Sequence, residues 1–138
     1  MSGRPPLGDA DYARLLEFRI ELRRFLRHSE AAAHYADLTP ALHQLLLAVR
    51  GAAPALDRTI GELAAALDVR HHTAVELAQR AEQLRLVIRY RDEHDHRQVH
   101  VRLTAAGRHR LDRVTRSHLP AIRELADRLV QVAAAGDA

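Results

Sequence analysis

The chain has 138 residues and a mass of 15.5 kDa, with 47% hydrophobic and 28% charged residues, proportions that suit one folded domain and leave no room for a second core. The net charge is only +3 and aromatic residues make up 4%, which sets aside single-stranded nucleic acid binding on stacked aromatic platforms. There is no cysteine, and all 21 basic residues are arginine, so disulfides, thiolate metal sites, thiol catalysis, lysine Schiff bases and the lysine of a phosphate-binding loop are excluded together.

No apolar run approaches the roughly 20 residues that cross a bilayer, and the opening MSGRPPLGDADY lacks the apolar core of a signal peptide, so the expectation is a cytoplasmic protein without a membrane partner. Residues 1 to 8, with Gly3, Pro5, Pro6 and Gly8, read as an arm, and Asp9 as the cap of a long helix. In that helix Leu15, Phe18, Leu22, Phe25, Ser29 and Ala33 recur every three or four residues as one stripe, running to about Ala36. Thr39 before Pro40 opens a second helix whose Leu42, Leu45, Leu46 and Val49 form a broad apolar face before Gly51. After a loop around Pro54, Thr59 and Glu62 have the spacing of a capping box for a short helix ending near Leu67.

A turn at Asp68 and Val69 leads to a helix from about Arg70 to Leu84, with Ala74, Leu77, Ala78, Ala81 and Leu84 on its inner side. From Leu86 the period becomes two. Ile88 and Tyr90 alternate with Arg89 and Arg91, and beyond the turn DEHDHR, Val99, Val101 and Leu103 alternate with Gln98, His100 and Arg102. This predicts a hairpin with one apolar and one basic face, the basic one holding Arg89, Arg91, His100 and Arg102. Thr104 caps a last helix, in which Ser117 and Pro120 predict a kink or a second start before about Ala135.

Three helices, a tight turn, a fourth helix, a basic hairpin and a closing helix give a mainly α protein with a small β-hairpin wing, the layout of a winged helix-turn-helix. Leu63, Leu67, Val69, Ala74 and Leu77 would fill the wedge of the motif, Ala64 would allow its helices to approach, and Asp68 accepts a left-handed turn. Helix pairs packed for structure alone can carry the same pattern.

At LTPALHQLLLAV, TIGELAAALDV, EHDHR and LTAAGRHRL, between about Leu38 and Gly107, the chain resembles the multiple antibiotic resistance regulator (MarR) family of winged-helix transcription factors. Asp95 and Arg97 of the wing, with Leu103, Thr104 and Gly107, are the most specific part. The resemblance implies one domain over residues 1–138, with a DNA-binding lobe at 38–103 and dimerisation helices at 9–36 and 104–135. It implies a homodimer on double-stranded DNA, a repressor in function, and a small-molecule effector in the crevice between the two parts, which His43, Arg24, Tyr35 and Arg50 could line. Arg70 and His71 depart from the small cap and proline common in the family, Arg85 replaces a glycine, and Ala81 replaces a leucine.

A major groove admits one helix, whose first turns meet base edges. Arg70, His71, His72 and Thr73 are therefore the candidate readers, with Glu76, Gln79 and Arg80 farther along the exposed side. Arg97 can enter a narrow minor groove with Asp95 holding its guanidinium, while Arg89, Arg91, His100 and Arg102 would contact phosphates. His94, His96 and His100 lie close enough in sequence to suggest zinc, but a hairpin tip is a poor cage, so no metal is expected. A glycine-rich phosphate loop, a serine elbow and a metalloprotease helix motif are all missing from the sequence, so neither an enzyme nor a cofactor is expected. The competing reading is a dimeric helical module that binds another protein and has lost DNA.

Overall fold

The computed structural model describes residues 3–52 and 57–135, and the loop expected around Pro54 lies outside the described residues. In chain order the elements are α1 (Asp9–Tyr35), α2 (Pro40–Gly51), β1 (Arg58–Thr59), α3 (Ile60–Leu67), α4 (His71–Gln83), β2 (Val87–Arg91), β3 (Val99–Leu103) and α5 (Ala105–Ala134). The antiparallel sheet has the order β1-β3-β2. The fold is mainly α with a small wing, as the sequence predicts. Among the described residues, no helix is long and apolar enough to cross a membrane.

Side-chain caps set most helix starts. Thr39 Oγ1 accepts the Leu42 N–H at 3.2 Å with Pro40 in the first turn, and Thr59 and Glu62 form the expected capping box. At α1 the cap differs from expectation. Asp9 is already helical, the cap is Gly8, and Asp11 Oδ2 accepts the Gly8 N–H at 2.8 Å, placing the carboxylate against the positive end of the helix.

The core is built where α2, α3, α4, the sheet and the first half of α5 meet. Leu45, Leu46, Leu63, Leu86, Val87, Val101 and Val114 are fully buried there. α3 ends on Asp68 at φ 52°, and the Val69 N–H bonds back to Ala64 O at 3.0 Å, the left-handed stop that turns the chain into α4. α1 packs along α5, and much of its apolar stripe stays uncovered in the single chain. Leu15 is 58% exposed and Phe18 42%, while only Ala33 at the far end is sealed. α5 runs unbroken through Pro120, so the second start does not occur. Links to α1 lie on both sides of the proline: His28 Nε2 meets Ser117 O at 3.2 Å, and Arg128 meets Glu21 at 3.2 Å.

One close approach locks the wing to the helices. The chain leaves α4 through Arg85, whose φ of 60° puts a non-glycine residue in the left-handed region at a cost of roughly 1–2 kcal/mol. The carbonyls that follow are taken by the start of α5. Thr104 N–H donates to Leu86 O at 3.0 Å, and Thr104 Oγ1 donates to Arg85 O at 2.7 Å while accepting the Gly107 N–H at 3.0 Å. Gly107 then lies so near that a Cβ on it would stand 2.0 Å from Leu86 O. Backbone cannot yield as a flexible side chain would. Gly107→Ala is expected to destabilise the fold by about 3 kcal/mol, the upper end of the usual cost of overpacking, read as a lower urea midpoint. A loss below about 1 kcal/mol would show that the approach is not tight.

Candidate nucleic-acid interface

The exposed side of α4 is built by helical spacing. His72, Glu76, Gln79 and Gln83 follow at intervals of three or four, with Arg80 beside them, and all are exposed, whereas Ala74, Ala78 and Ala81 are sealed on the opposite side. Arg70 is the cap residue and, with His71, exposed. Thr73 is half-buried. No side chain caps this helix and no acidic residue lies in its first turn, so its free N–H groups, at the positive end of the helix, sit beside Arg70. Among the described residues, neither Arg70 nor Arg80 has a carboxylate partner.

The wing corrects one expectation. Antiparallel pairing sets Ile88 opposite Arg102, Arg89 opposite Val101, Tyr90 opposite His100 and Arg91 opposite Val99. Opposed residues share a face. Arg89 and Arg91 therefore lie on the side of Val87, Val101 and Leu103, and His100 and Arg102 on the side of Ile88 and Tyr90. The four basic residues do not share one face. The alternation was read correctly within each strand, but Ile88 and Tyr90 point outward, and the inward place above Val87 is taken by an arginine. Arg89 is tolerated there because Glu82, at the end of α4, accepts its backbone N–H at 3.0 Å, its Nε at 3.2 Å and an Nη at 3.1 Å. These same bonds hold the Glu82 carboxyl below its ordinary value.

On the outer face Arg102 is likewise engaged. Asp57 accepts its Nε at 3.0 Å and its Nη2 at 2.9 Å, and the Tyr90 hydroxyl also donates to Asp57. Hydrogen bonding from Arg102 leads the lowering of the Asp57 pKa, and the same carboxylate raises that of Tyr90. The Tyr90 ring stacks on His100 at 5.3 Å and 14°. Nothing local in the sequence announces Asp57, which lies 45 residues from Arg102, or the strand β1 that follows it.

The wing tip behaves as the sequence predicts. Arg97 is 91% exposed, and Asp95 Oδ1 accepts its Nε at 3.0 Å and its backbone N–H at 3.1 Å. Arg91 donates to His96 O at 2.7 Å across the same turn. Asp92, which the sequence reading passed over, organises the tip: Oδ1 accepts the N–H groups of His94 at 2.8 Å and Asp95 at 3.0 Å, and Oδ2 meets His100 Nε2 at 2.9 Å. Among the described residues, no three histidines or acids are placed to hold a metal ion.

Arg24, Tyr35, His43 and Arg50, which could line an effector crevice but read more simply as structural or surface residues, lie apart in the single chain. Arg24 lines a groove of about 330 Å³ between α1 and α5, with Phe25, His28 and Arg128. Tyr35 and Arg50 are exposed, and His43 is buried against His118, ring centroids 5.2 Å apart. Burial, then the neighbouring His118, lowers the His43 pKa.

A family model described as MarR family matches residues 36–98. Over that segment the chain is similar to the MarR family. The whole chain has the winged-helix fold of the family, and solved structures share it at low identity. AbsC, a MarR family transcriptional regulator from Streptomyces coelicolor, superposes with a TM-score of 0.73 at 20% identity, over 88% of this chain and 82% of that one. A mutant MarR from E. coli, complexed with operator DNA, gives 0.67 at 24% identity, over 85% and 81%. BpsR from Bordetella bronchiseptica, whose DNA binding is regulated by 6-hydroxynicotinic acid, gives 0.64 at 20%, over 83% of each chain. No curated protein matches the sequence. In the wing, Asp92 supplies the next testable point. The N–H groups of Asp95 and His94, then His100, hold its carboxyl at about 2, below the ordinary 3.8. A depressed carboxyl stabilises the folded tip fully above its unfolded value, and that contribution disappears as pH falls through the folded value. The Asp92 carboxyl carbon resonance is expected to titrate with a midpoint near 2. A midpoint near 3.8 would mean that the turn does not hold the carboxylate.

Proposed function

We propose that the protein is a homodimeric, sequence-specific binder of double-stranded DNA that regulates transcription, a repressor released by a small molecule and working in the cytoplasm. The observation that carries this reading is the pairing, on one rigid lobe, of an uncapped basic helix face with an exposed arginine held at the tip of a hairpin. A helix with its first turns in a major groove leaves the wing to reach the neighbouring minor groove, whose negative potential favours a guanidinium. In this reading His71, His72 and Thr73 meet base edges, Gln79 reaches a base or sugar, and Arg70 and Arg80 contact phosphates. The chemistry is binding alone, with no catalytic step.

Dimerisation is supported by large apolar side chains left in solvent on two packed helices. Leu15, Leu16, Leu22 and Leu26 on α1 and Leu119, Ile122 and Val130 on α5 are each more than a third exposed. A water-soluble lobe seldom leaves so much apolar surface uncovered, and a second copy would bury it. Two lobes related by a twofold axis would read half-sites about one helical turn, roughly 34–36 Å, apart. The regulation of BpsR by a small aromatic acid supports the effector, and the groove beside Arg24 offers it space.

Selection from a random duplex pool, followed by affinity measurements over a salt series, tests the reading. The selected site is expected to be a two-fold repeat, and the logarithm of affinity to fall with the logarithm of salt by about 0.9 per phosphate contacted. His72→Ala or Gln79→Ala should change the preferred bases, whereas Arg80→Ala should weaken all duplexes alike. Sedimentation should give twice the 15.5 kDa chain mass. No enriched sequence and no salt dependence would favour a protein-interaction module in place of a DNA-binding regulator.

A further inference from the structure

The outer face of the wing carries a continuous line of contacts from the loop before the helix-turn-helix to the tip. At its base Asp57 clamps Arg102 with two nitrogens, at 3.0 and 2.9 Å, and also accepts the Tyr90 hydroxyl. Tyr90, fixed at its far end, forms a shelf on which the His100 ring lies at 5.3 Å, with the Arg102 guanidinium over the same phenol ring, also at 5.3 Å. His100, fixed by that shelf, meets Asp92 Oδ2 at 2.9 Å. Asp92 in turn ties down the N–H groups of His94 and Asp95, and Asp95 holds Arg97.

Resting on the duplex-binding reading above, we propose that Asp57, Tyr90, His100 and Asp92 are positioning residues that act through Arg97, aiming it at the minor groove, and that Arg102 serves this relay and not a phosphate. Two features favour this over a set of unrelated surface contacts. First, the tip is a short turn bearing a long, 91% exposed side chain, which must give up rotamer freedom when it enters a groove; a turn already fixed on both sides lowers that cost. Second, each of the three carboxylates bridges two groups along the line. Asp57 holds both Arg102 and Tyr90, Asp92 spends one oxygen on His100 and the other on the tip, and Asp95 holds both the backbone and the side chain of Arg97. A merely neutralising Asp57 would need none of the later links. The alternative is opposite in sign, because an Asp57 that only competes with phosphate for Arg102 would weaken DNA binding, and its removal would strengthen it.

Double-mutant cycles on duplex affinity at fixed salt and pH separate these outcomes. Arg97→Ala is expected to weaken binding about tenfold or more, as loss of a well-placed arginine does. Asp92→Ala should cost about fivefold and Asp57→Ala about threefold, but each should change affinity by less than about twofold when Arg97 is already alanine. Tighter binding by Asp57→Ala, or penalties that persist in full in the Arg97→Ala background, overturns the relay. The free protein supplies an independent readout. The Arg97 Nε–H resonance should move towards that of a free guanidinium in Asp92→Ala and, to a smaller extent, in Asp57→Ala; an unmoved resonance in both overturns the relay. Thermal unfolding of each variant confirms that the lobe is folded. A wild-type protein that binds no duplex overturns the interface itself and the role of Arg97 with it, whereas duplex binding with additive cycles overturns the relay alone.

Discussion

The meeting of Gly107 with the Leu86 carbonyl is the constraint from which the rest of the lobe follows. At that point the chain has just left α4 and is entering the wing, and it returns from the wing into α5 at Thr104, 18 residues after Leu86. A hydrogen bond from Thr104 to Leu86, a second to Arg85, and the missing side chain at Gly107 bring the exit and the return into backbone contact. The end of α4, the base of the hairpin and the start of α5 are thereby one body. Any account in which the helix and the wing contact a single partner together requires this, because two parts that moved independently would lose the entropy of ordering at binding. The left-handed Arg85 is the local cost of the arrangement, and packing around Leu86, which is fully buried, offsets it.

Charge is distributed with the same economy. A chain with a net charge of +3 has no overwhelming attraction for a polyanion, so what matters is which arginines remain available. Glu82 engages Arg89 and Asp57 engages Arg102, while Arg91 is turned to the tip carbonyl of His96. Arg70 and Arg80 stand without carboxylates on the helix, and Arg97 is held by one that shares its turn. Exposed ion pairs of this kind are worth about 0–1 kcal/mol each in stability. Their main effect here is on direction: they fix where side chains point while the core holds the fold.

Much of this was legible in the sequence because the signals are local. Thr39 with Pro40, Thr59 with Glu62, and Thr104 cap helices within three residues of themselves, Asp68 and Arg85 take the left-handed turns expected of their positions, and Asp95 and Arg97 are two residues apart. The failures are non-local or depend on register. The two residues of β1 carry no periodicity, Asp57 meets partners 33 and 45 residues away, and the face occupied by Arg89 and Arg91 is decided by how two strands are paired. Arg89 misleads for a specific reason. An inward arginine reads as outward unless Glu82, on another element, is known to receive it. The apolar stripe of α1 was visible from its three-and-four spacing, and Leu15, Phe18 and Leu22 face solvent in the single chain.

The central claim is that the α4 face and the wing tip bind one duplex as a single rigid surface. Amide hydrogen exchange of the full chain, with and without a selected duplex, tests it most directly. The account requires protection to appear together in residues 70–80 and 92–98, at the same duplex concentration, with residues 12–30 unchanged by DNA. Protection confined to one of the two segments, or falling instead on the outer faces of α1 and α5, would contradict it.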